Sequence, residues 1–185
     1  MSSTSRWTYD QYAKIPLDGL RHEIMDGAHV VNAAPNLYHQ TVSRRLLFQL
    51  YSEIELAGLG QVFDAPVDVQ LSPHDIVQPD LVVVTTAREA ILTPAKIDGP
   101  PDLVIEIVSP SNPDHERVHK RALYQRFGIP EYWIVDPERR DVEQCLLQEN
   151  GQYTSTRHTG TITTGTITMV TPPQTQVDLH QVWHG

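Results

Sequence analysis

The sequence has a single cysteine, Cys145, in 185 residues. That excludes an internal disulfide and any zinc site built on several thiolates, and it suits a reducing, cytoplasmic setting. Long hydrophobic runs are also missing. Stretches such as Leu81 to Val84 are far too short to cross a bilayer, so no membrane partner is expected. The opening residues, MSSTSRWTYD, hold no apolar stretch of the kind a secretory leader needs. Finally, there is no excess of positive charge. The 14 Lys and Arg stand against 23 Asp and Glu, a formal net charge of −9. A protein that grips a phosphate backbone ordinarily carries a basic face. Any such contact here must rest on a local patch, for which Arg117, Lys120, Arg121 and Arg126 are the candidates. A solvated helix face is the alternative for the same four.

What is present describes a globular chain. Hydrophobic residues make up 39% and charged residues 20%, which does not indicate disorder, and the length suits one domain with a real core over residues 1–185. Tyr9 to Ala13 predicts a short helix. Arg21 to Ile24 and His29 to Asn32 flank Asp26-Gly27, a strong hairpin signal. From Asn36, Val42, Leu46, Leu47, Leu50 and Ile54 recur at helical spacing, and Gly58 stops the helix. Val62 to Leu71 alternates as a strand, with Ala65, Val67, Val69 and Leu71 on one face. Leu81 to Val84 and Leu103 to Val108 are apolar and β-branched, hence buried strands. Asp114 to Phe127 predicts a helix capped by Asp114 and closed by Gly128, followed by a strand over Tyr132 to Val135. Ser72 to Pro79 and Ser109 to Pro113 are expected as loops. The Thr-rich segment from Thr154 to Thr171 is expected as short strands and turns that extend the sheet or face a second copy. The order αβββαβ implies an α/β fold, a sheet with helices packed on it.

Two acidic residues interrupt this pattern. Asp80 immediately precedes one buried strand, and Glu106 lies inside another between Ile105 and Ile107. A buried carboxylate without a partner is costly, so each needs a cation, a strong donor or water. If the two strands are antiparallel neighbours, the start of one lies beside the end of the other, and Asp80 and Glu106 reach the same edge of the sheet. Alternation puts Glu106 on the face of Val104 and Val108. Two carboxylates held together repel unless a cation lies between them, and hard oxygen ligands select Mg²⁺ or Mn²⁺. Against this stand a turn role for Asp80 after Pro79 and a solvated edge position for Glu106.

Four strings in order carry a resemblance: Gln-Pro-Asp-Leu-Val-Val-Val (78–84), Pro-Asp-Leu-Val-Ile-Glu-Ile-Val-Ser-Pro-Ser (101–111), Lys-Arg-Ala-Leu-Tyr (120–124) and Gly-Ile-Pro-Glu-Tyr-Trp-Ile-Val-Asp-Pro (128–137). Together they resemble the Uma-two family of bacterial proteins, long labelled a domain of unknown function and placed in the PD-(D/E)XK nuclease superfamily. The resemblance implies a restriction-endonuclease-like αβββαβ core, with extra C-terminal strands, and metal-dependent cleavage of phosphodiester bonds, in DNA. By the same resemblance Asp80 matches the first acidic motif and Glu106 the second, both holding the metal. The superfamily's lysine, expected two residues after Glu106, is replaced there by Val108 and falls instead on the next helix, at Lys120, where it would orient the attacking water and stabilise phosphate charge. Lys120 paired with Glu116 at i,i+4 is the structural alternative. Glu23 and His39 match recurrent polar positions and are secondary candidates, although lone residues of this kind are often satisfied structural polars. A homodimer is expected by analogy with nucleases that cut both strands.

One rival motif is present. His115-Glu116-Arg117-Val118-His119 fits H-E-x-x-H, which on a helix can bind Zn²⁺ for peptide hydrolysis. Arg117, Lys120 and Arg121 crowd it with charge, and only Glu138 or Glu143 offers a third ligand. A non-catalytic interaction or DNA-binding module on the same fold is a further alternative.

Overall fold

The computed structural model describes residues 6–16, 18–32, 34–109, 114–159, 165–171 and 173–184. Residues 110–113 of the expected Ser109 to Pro113 loop, and residues 160–164 of the Thr-rich segment, lie outside these. The chain opens with α1 (Tyr9–Tyr12) and a hairpin of β1 (Arg21–Met25) and β2 (Ala28–Asn32). Asp26 and Gly27 turn it with φ of 53° and 79°, the paired left-handed conformation that a two-residue hairpin turn requires. Next comes α2 (Leu37–Leu50), whose cap is Asn36: its side-chain oxygen accepts from the His39 N–H at 2.8 Å. One wider, π-type turn (Tyr51–Glu55) prolongs this helix up to Gly58, where φ is 69°.

The alternating run from Val62 to Leu71 does not form one strand. It splits into β3 (Gly60–Asp64) and β4 (Val69–Ser72), which belong to different sheets. Pro66 has no N–H to give to a ladder, so pairing cannot run through it. Within the expected loop from Ser72 to Pro79 there is a further strand, β5 (Asp75–Val77), fully buried and paired with both β1 and β4. Three residues are too few to show a period.

Then follow β6 (Leu81–Thr85), β7 (Ile97–Asp98), β8 (Leu103–Ile107), a π-type turn (His115–Lys120) leading into α3 (Arg121–Arg126), and β9 (Glu131–Asp136). Asp114 has helical φ and ψ and makes no capping bond with its side chain, so the expected cap is not the start of this helix. The chain ends with β10 (Asp141–Leu147), β11 (Tyr153–Thr159), β12 (Thr166–Thr168), β13 (Gln176–Asp178) and α4 (Leu179–His184).

The main sheet has the order β11-β10-β9-β8-β6-β3, with β8 and β9 parallel and the other pairs antiparallel. It contains the αβββαβ core as α2, β3, β6, β8, α3 and β9, a mixed sheet with flanking helices. One face packs Leu81, Val83, Ile105 and Trp133 against Val42, Leu46 and Leu50 of α2, and against Val182 and Trp183 of α4. The other face packs Val82, Val104, Tyr132 and the buried Cys145 against Leu123 and Tyr124 of α3 and against Val69, Val77 and Ile97 of the second sheet. That second sheet has the order β2-β1-β5-β4-β7. Of the C-terminal strands, β11 extends the main sheet, and the β12–β13 hairpin sits over α2, where the Gln49 amide bonds both ways with the Asp178 backbone. No described helix is long and apolar enough to cross a membrane.

The tightest backbone contact between β3 and its neighbour is at Gly60, where an added Cβ would lie 2.5 Å from the Val84 carbonyl oxygen. Backbone cannot yield as a side chain does, so Gly60→Ala should lower stability by about 1–3 kcal/mol, read as a lower urea midpoint.

Candidate active site

Registry decides where the carboxylates go. Leu81 pairs with Ile105 and Val82 with Val104 in the antiparallel β6–β8 ladder, so Asp80 lies opposite Glu106 at the end of that ladder. Both project from the face of Val82 and Val104, and both are buried, at 4% and 2% exposure. The second sheet meets this edge with β1. Arg21 and Glu23 are two apart on that strand and share its inward face. From the other side comes the π-type turn. Its hydrogen bonds span five residues, which sets His115 and Lys120 on one inward face, whereas His119 is exposed.

The five residues singled out from sequence therefore converge. Lys120 Nζ lies 2.7 Å from Glu106 Oε1 and 2.9 Å from Glu23 Oε1, and it does so at 2% exposure. This is the pairing Lys120 makes in place of one with Glu116. Tyr124 donates its hydroxyl to the same Glu106 oxygen at 2.6 Å. Glu23 also accepts from the Gln78 N–H at 2.7 Å and the Asn32 amide at 2.5 Å, and His115 Nε2 approaches it at 3.5 Å. Asp80 accepts from Arg21 Nη1 at 2.8 Å on one oxygen, and from the Ile107 N–H at 2.8 Å and His39 Nε2 at 3.1 Å on the other. Arg21 also donates to the Gln78 carbonyl, which fixes the guanidinium.

These contacts set the charges. Burial pushes the Asp80 carboxyl up, but the His39 ring, the Arg21 guanidinium and the Ile107 N–H outweigh it and hold Asp80 below the usual carboxylate range. Glu23 is likewise held well below that range, because Lys120, His115 and the Gln78 N–H overcome its burial. Glu106 goes the other way. Burial pushes it up to about 7; Lys120 pulls it back only in part, and the Asp80 and Glu23 charges add to the rise. Burial also disfavours the Lys120 ammonium, yet Glu106 and Glu23 keep it protonated above its ordinary value.

Arg21, His39, Asp80, Glu106, His115 and Lys120 line a cavity of 250 Å³ together with Glu116. Glu116 is 7% exposed, and its Oε2 is buried without a hydrogen-bond partner among the described residues. A larger cleft of 840 Å³ adjoins it and shares Arg21, Pro35, His39 and Asp80 as a common wall. The donor types are those a hard divalent cation takes, and among the described residues no three of them converge on one ion position. Three buried acids, Asp80, Glu106 and Glu116, face the two cations Arg21 and Lys120 at the cavity, with Glu23 buried behind Lys120. A carboxylate has enough lone pairs to keep its present donors and accept a metal as well.

Sequence reasoning missed Arg21, Tyr124 and Glu116 as members of this site. Arg21 carried a signal, since it alternates with Glu23 on the hairpin strand. Tyr124 is four residues past Lys120, the spacing of one helical turn. Two other expectations are corrected. The cations proposed as a basic patch do not form one. Lys120 is buried, Arg117 is paired with Asp136 at 2.7 Å and Glu143 at 3.5 Å, Arg126 is paired with Asp26 at 2.7 Å and Asp75 at 3.1 Å, and Arg121 reaches Ser155. The H-E-x-x-H segment does not assemble a zinc site either. His115 faces Glu23, His119 faces solvent, Glu143 is paired with Arg117, Glu138 is exposed, and no group of three potential ligands converges on an ion position among the described residues.

Comparisons with known proteins give the family and the fold. A family model, Uma2, described as "Putative restriction endonuclease", matches residues 9–179. The structure resembles the crystal structure of a "putative nuclease belonging to DUF820" from Anabaena variabilis ATCC 29413. The TM-score is 0.76 at 16% identity, covering 95% of this chain and 97% of that one. That likeness is one of fold. Nothing among the curated proteins matches the chain.

Two predictions follow from the buried charges. Lys120→Met strands two carboxylates and should cost about 3–5 kcal/mol of stability in urea unfolding. Adding Glu23→Gln to it should restore part of the loss. Glu106 ionises near 4.5 when unfolded but near 7 when folded, so its favourable contribution is complete below pH 4.5 and is lost as pH rises to about 7. Glu23 and Asp80, both depressed, contribute a constant amount over that window and lose it only in acid. The metal-free wild type should therefore lose stability between pH 5 and 7.5, and Glu106→Gln should flatten that descent.

Proposed function

The chain belongs to the Uma2 family, and from that premise we propose that it is a divalent-metal-dependent endonuclease that hydrolyses phosphodiester bonds in DNA. The observation that carries this reading is the adjacency of Asp80 and Glu106 at one buried sheet edge, opening into a cavity whose acids outnumber its cations. Asp80 and Glu106 would hold Mg²⁺ or Mn²⁺. Such an ion, when bound, supplies positive charge to a phosphoryl oxygen and makes water a stronger acid.

The chain's own residues do the rest. Arg21, His39 and the Ile107 N–H fix Asp80 in one orientation, which limits the ordering its carboxylate would need on binding a cation. Lys120 and Tyr124 do the same for Glu106. Lys120 also holds a permanent positive charge at the cavity, where it offsets charge that develops on the phosphate. Arg44 lines the adjoining cleft beside Arg21 and among Asp18, Asp64 and Asp68, and it is the cation there that the negative backbone of a substrate strand would meet. A symmetric pair of copies would let both strands of a duplex be cut.

The test begins with calorimetric titration of Mg²⁺ and Mn²⁺ into the metal-free protein. Binding by the wild type that Glu106→Ala abolishes is the expected result. Asp80→Ala should reduce cleavage of plasmid DNA by about 10²-fold or more, with the fold intact by circular dichroism. Full cleavage by that variant would remove Asp80 from the mechanism, and cleavage of RNA alone would correct the substrate.

A further inference from the structure

Hydrolysis leaves one proton to be placed. The water that attacks phosphorus must lose it, and the acceptor must have a lone pair at the cavity. Lys120 has none to offer, because its buried ammonium is gripped by Glu106 and Glu23 at 2.7 and 2.9 Å. Asp80 accepts three donors, and the lone pair left on its Oδ1 would hold the cation. Glu106 Oε1 receives Lys120 and Tyr124, and its Oε2 would hold the cation. Glu116 differs from all of these. Glu116 lines the cavity, and its Oε2 is buried and accepts no hydrogen bond from any described residue. An unmet buried acceptor is costly, and native structures keep few of them without a use.

We propose that Glu116 is the general base of this site, its carboxylate taking the proton of the attacking water. This rests on the nuclease reading above. In the step, the water oxygen forms a bond to phosphorus, the phosphorus bond to the leaving oxygen breaks, the water's proton passes to Glu116, and solvent water protonates the leaving oxygen. Glu116 then returns its proton to solvent. The groups facing Glu116 suit the task. Burial pushes its carboxyl up, Lys120 offsets part of that rise, its own backbone N–H and His115 on its own turn offset a little more, and Asp80 across the cavity adds to it. Glu106 lines the same cavity, and the Tyr132 hydroxyl donates to the Glu116 backbone carbonyl at 3.0 Å, which anchors the turn without touching the carboxylate. A carboxylate raised in this way binds a proton more readily than a solvated one.

Three measurements test it, on wild type, Glu116→Gln, Glu116→Asp and His39→Gln. His39 is included because its Nδ1 is also buried without a partner. Glu116→Gln should leave Mg²⁺ affinity by calorimetry within about twofold, because the residue accepts a proton and does not hold the cation. It should lower the single-turnover cleavage rate by about 10²–10⁴-fold and remove the acidic limb of the pH–rate profile. Glu116→Asp should retain part of the rate. In urea at pH 8, Glu116→Gln should be about as stable as wild type, since the Oε2 it replaces accepts no hydrogen bond from any described residue. Loss of Mg²⁺ binding in Glu116→Gln would make the residue a ligand, a fall in stability would make it structural, and loss of the acidic limb only in His39→Gln would give the proton to His39; each overturns the proposal. If wild type cleaves and Glu116→Gln cleaves equally well, the base falls and the nuclease reading stands. If wild type neither binds metal nor cleaves, both fall.

Discussion

An ammonium group sealed among carboxylates holds this molecule's centre together. Lys120 comes from the turn before α3, Glu106 from the main sheet and Glu23 from the second sheet, so one charge joins three elements. Its burial at 2% exposure would be prohibitive for an isolated lysine. It is tolerable because each carboxylate has further donors, and because the hydrogen bonds around Glu23 are nearly complete. The same arrangement divides labour between two acids that share one partner. Glu23 is satisfied and stays ionised, while Glu106 is held near the point where it can gain or lose a proton.

The π-type turn from His115 to Lys120 is what makes the geometry possible. In an ordinary helix, residues four apart share a face, and His115 would align with His119. The wider winding aligns His115 with Lys120 instead, so the lysine enters the core and the second histidine leaves it. The segment that reads as a zinc motif thus becomes the support for a different cluster. A lysine displaced from the strand to the helix still reaches the acidic edge, since the turn brings its root close and its stem is long.

Much of this was legible in the sequence. The helix from Asn36, the Asp26-Gly27 turn and the apolar strands at Leu81 and Leu103 follow from local chemistry, and the adjacency of Asp80 and Glu106 follows from antiparallel pairing of those strands. The rest depended on contacts far apart in the chain. Nothing local distinguishes β5, three residues long, from a loop, and the run from Val62 to Leu71 alternates well enough to hide the break at Pro66. Arg21 and Tyr124 could be assigned only once β1 and α3 were known to face the same cavity. Arg117 and Arg126 looked like a basic face because their acidic partners, Asp136 and Asp75, lie far off in sequence.

The sealing of the Lys120 cluster also separates two kinds of electrostatics in one protein. Mobile ions screen charges that solvent can reach, over a distance of about 10 Å at 0.1 M salt, and they scarcely reach charges inside a packed core. Ionic strength will therefore act on Arg44 and the open wall of the larger cleft, and on any polyanion lying there, while the bonds among Lys120, Glu23 and Glu106 keep their strength. Added salt can thus strip a ligand from the surface without disturbing the machinery beneath it, and the salt sensitivity of binding belongs to the rim alone.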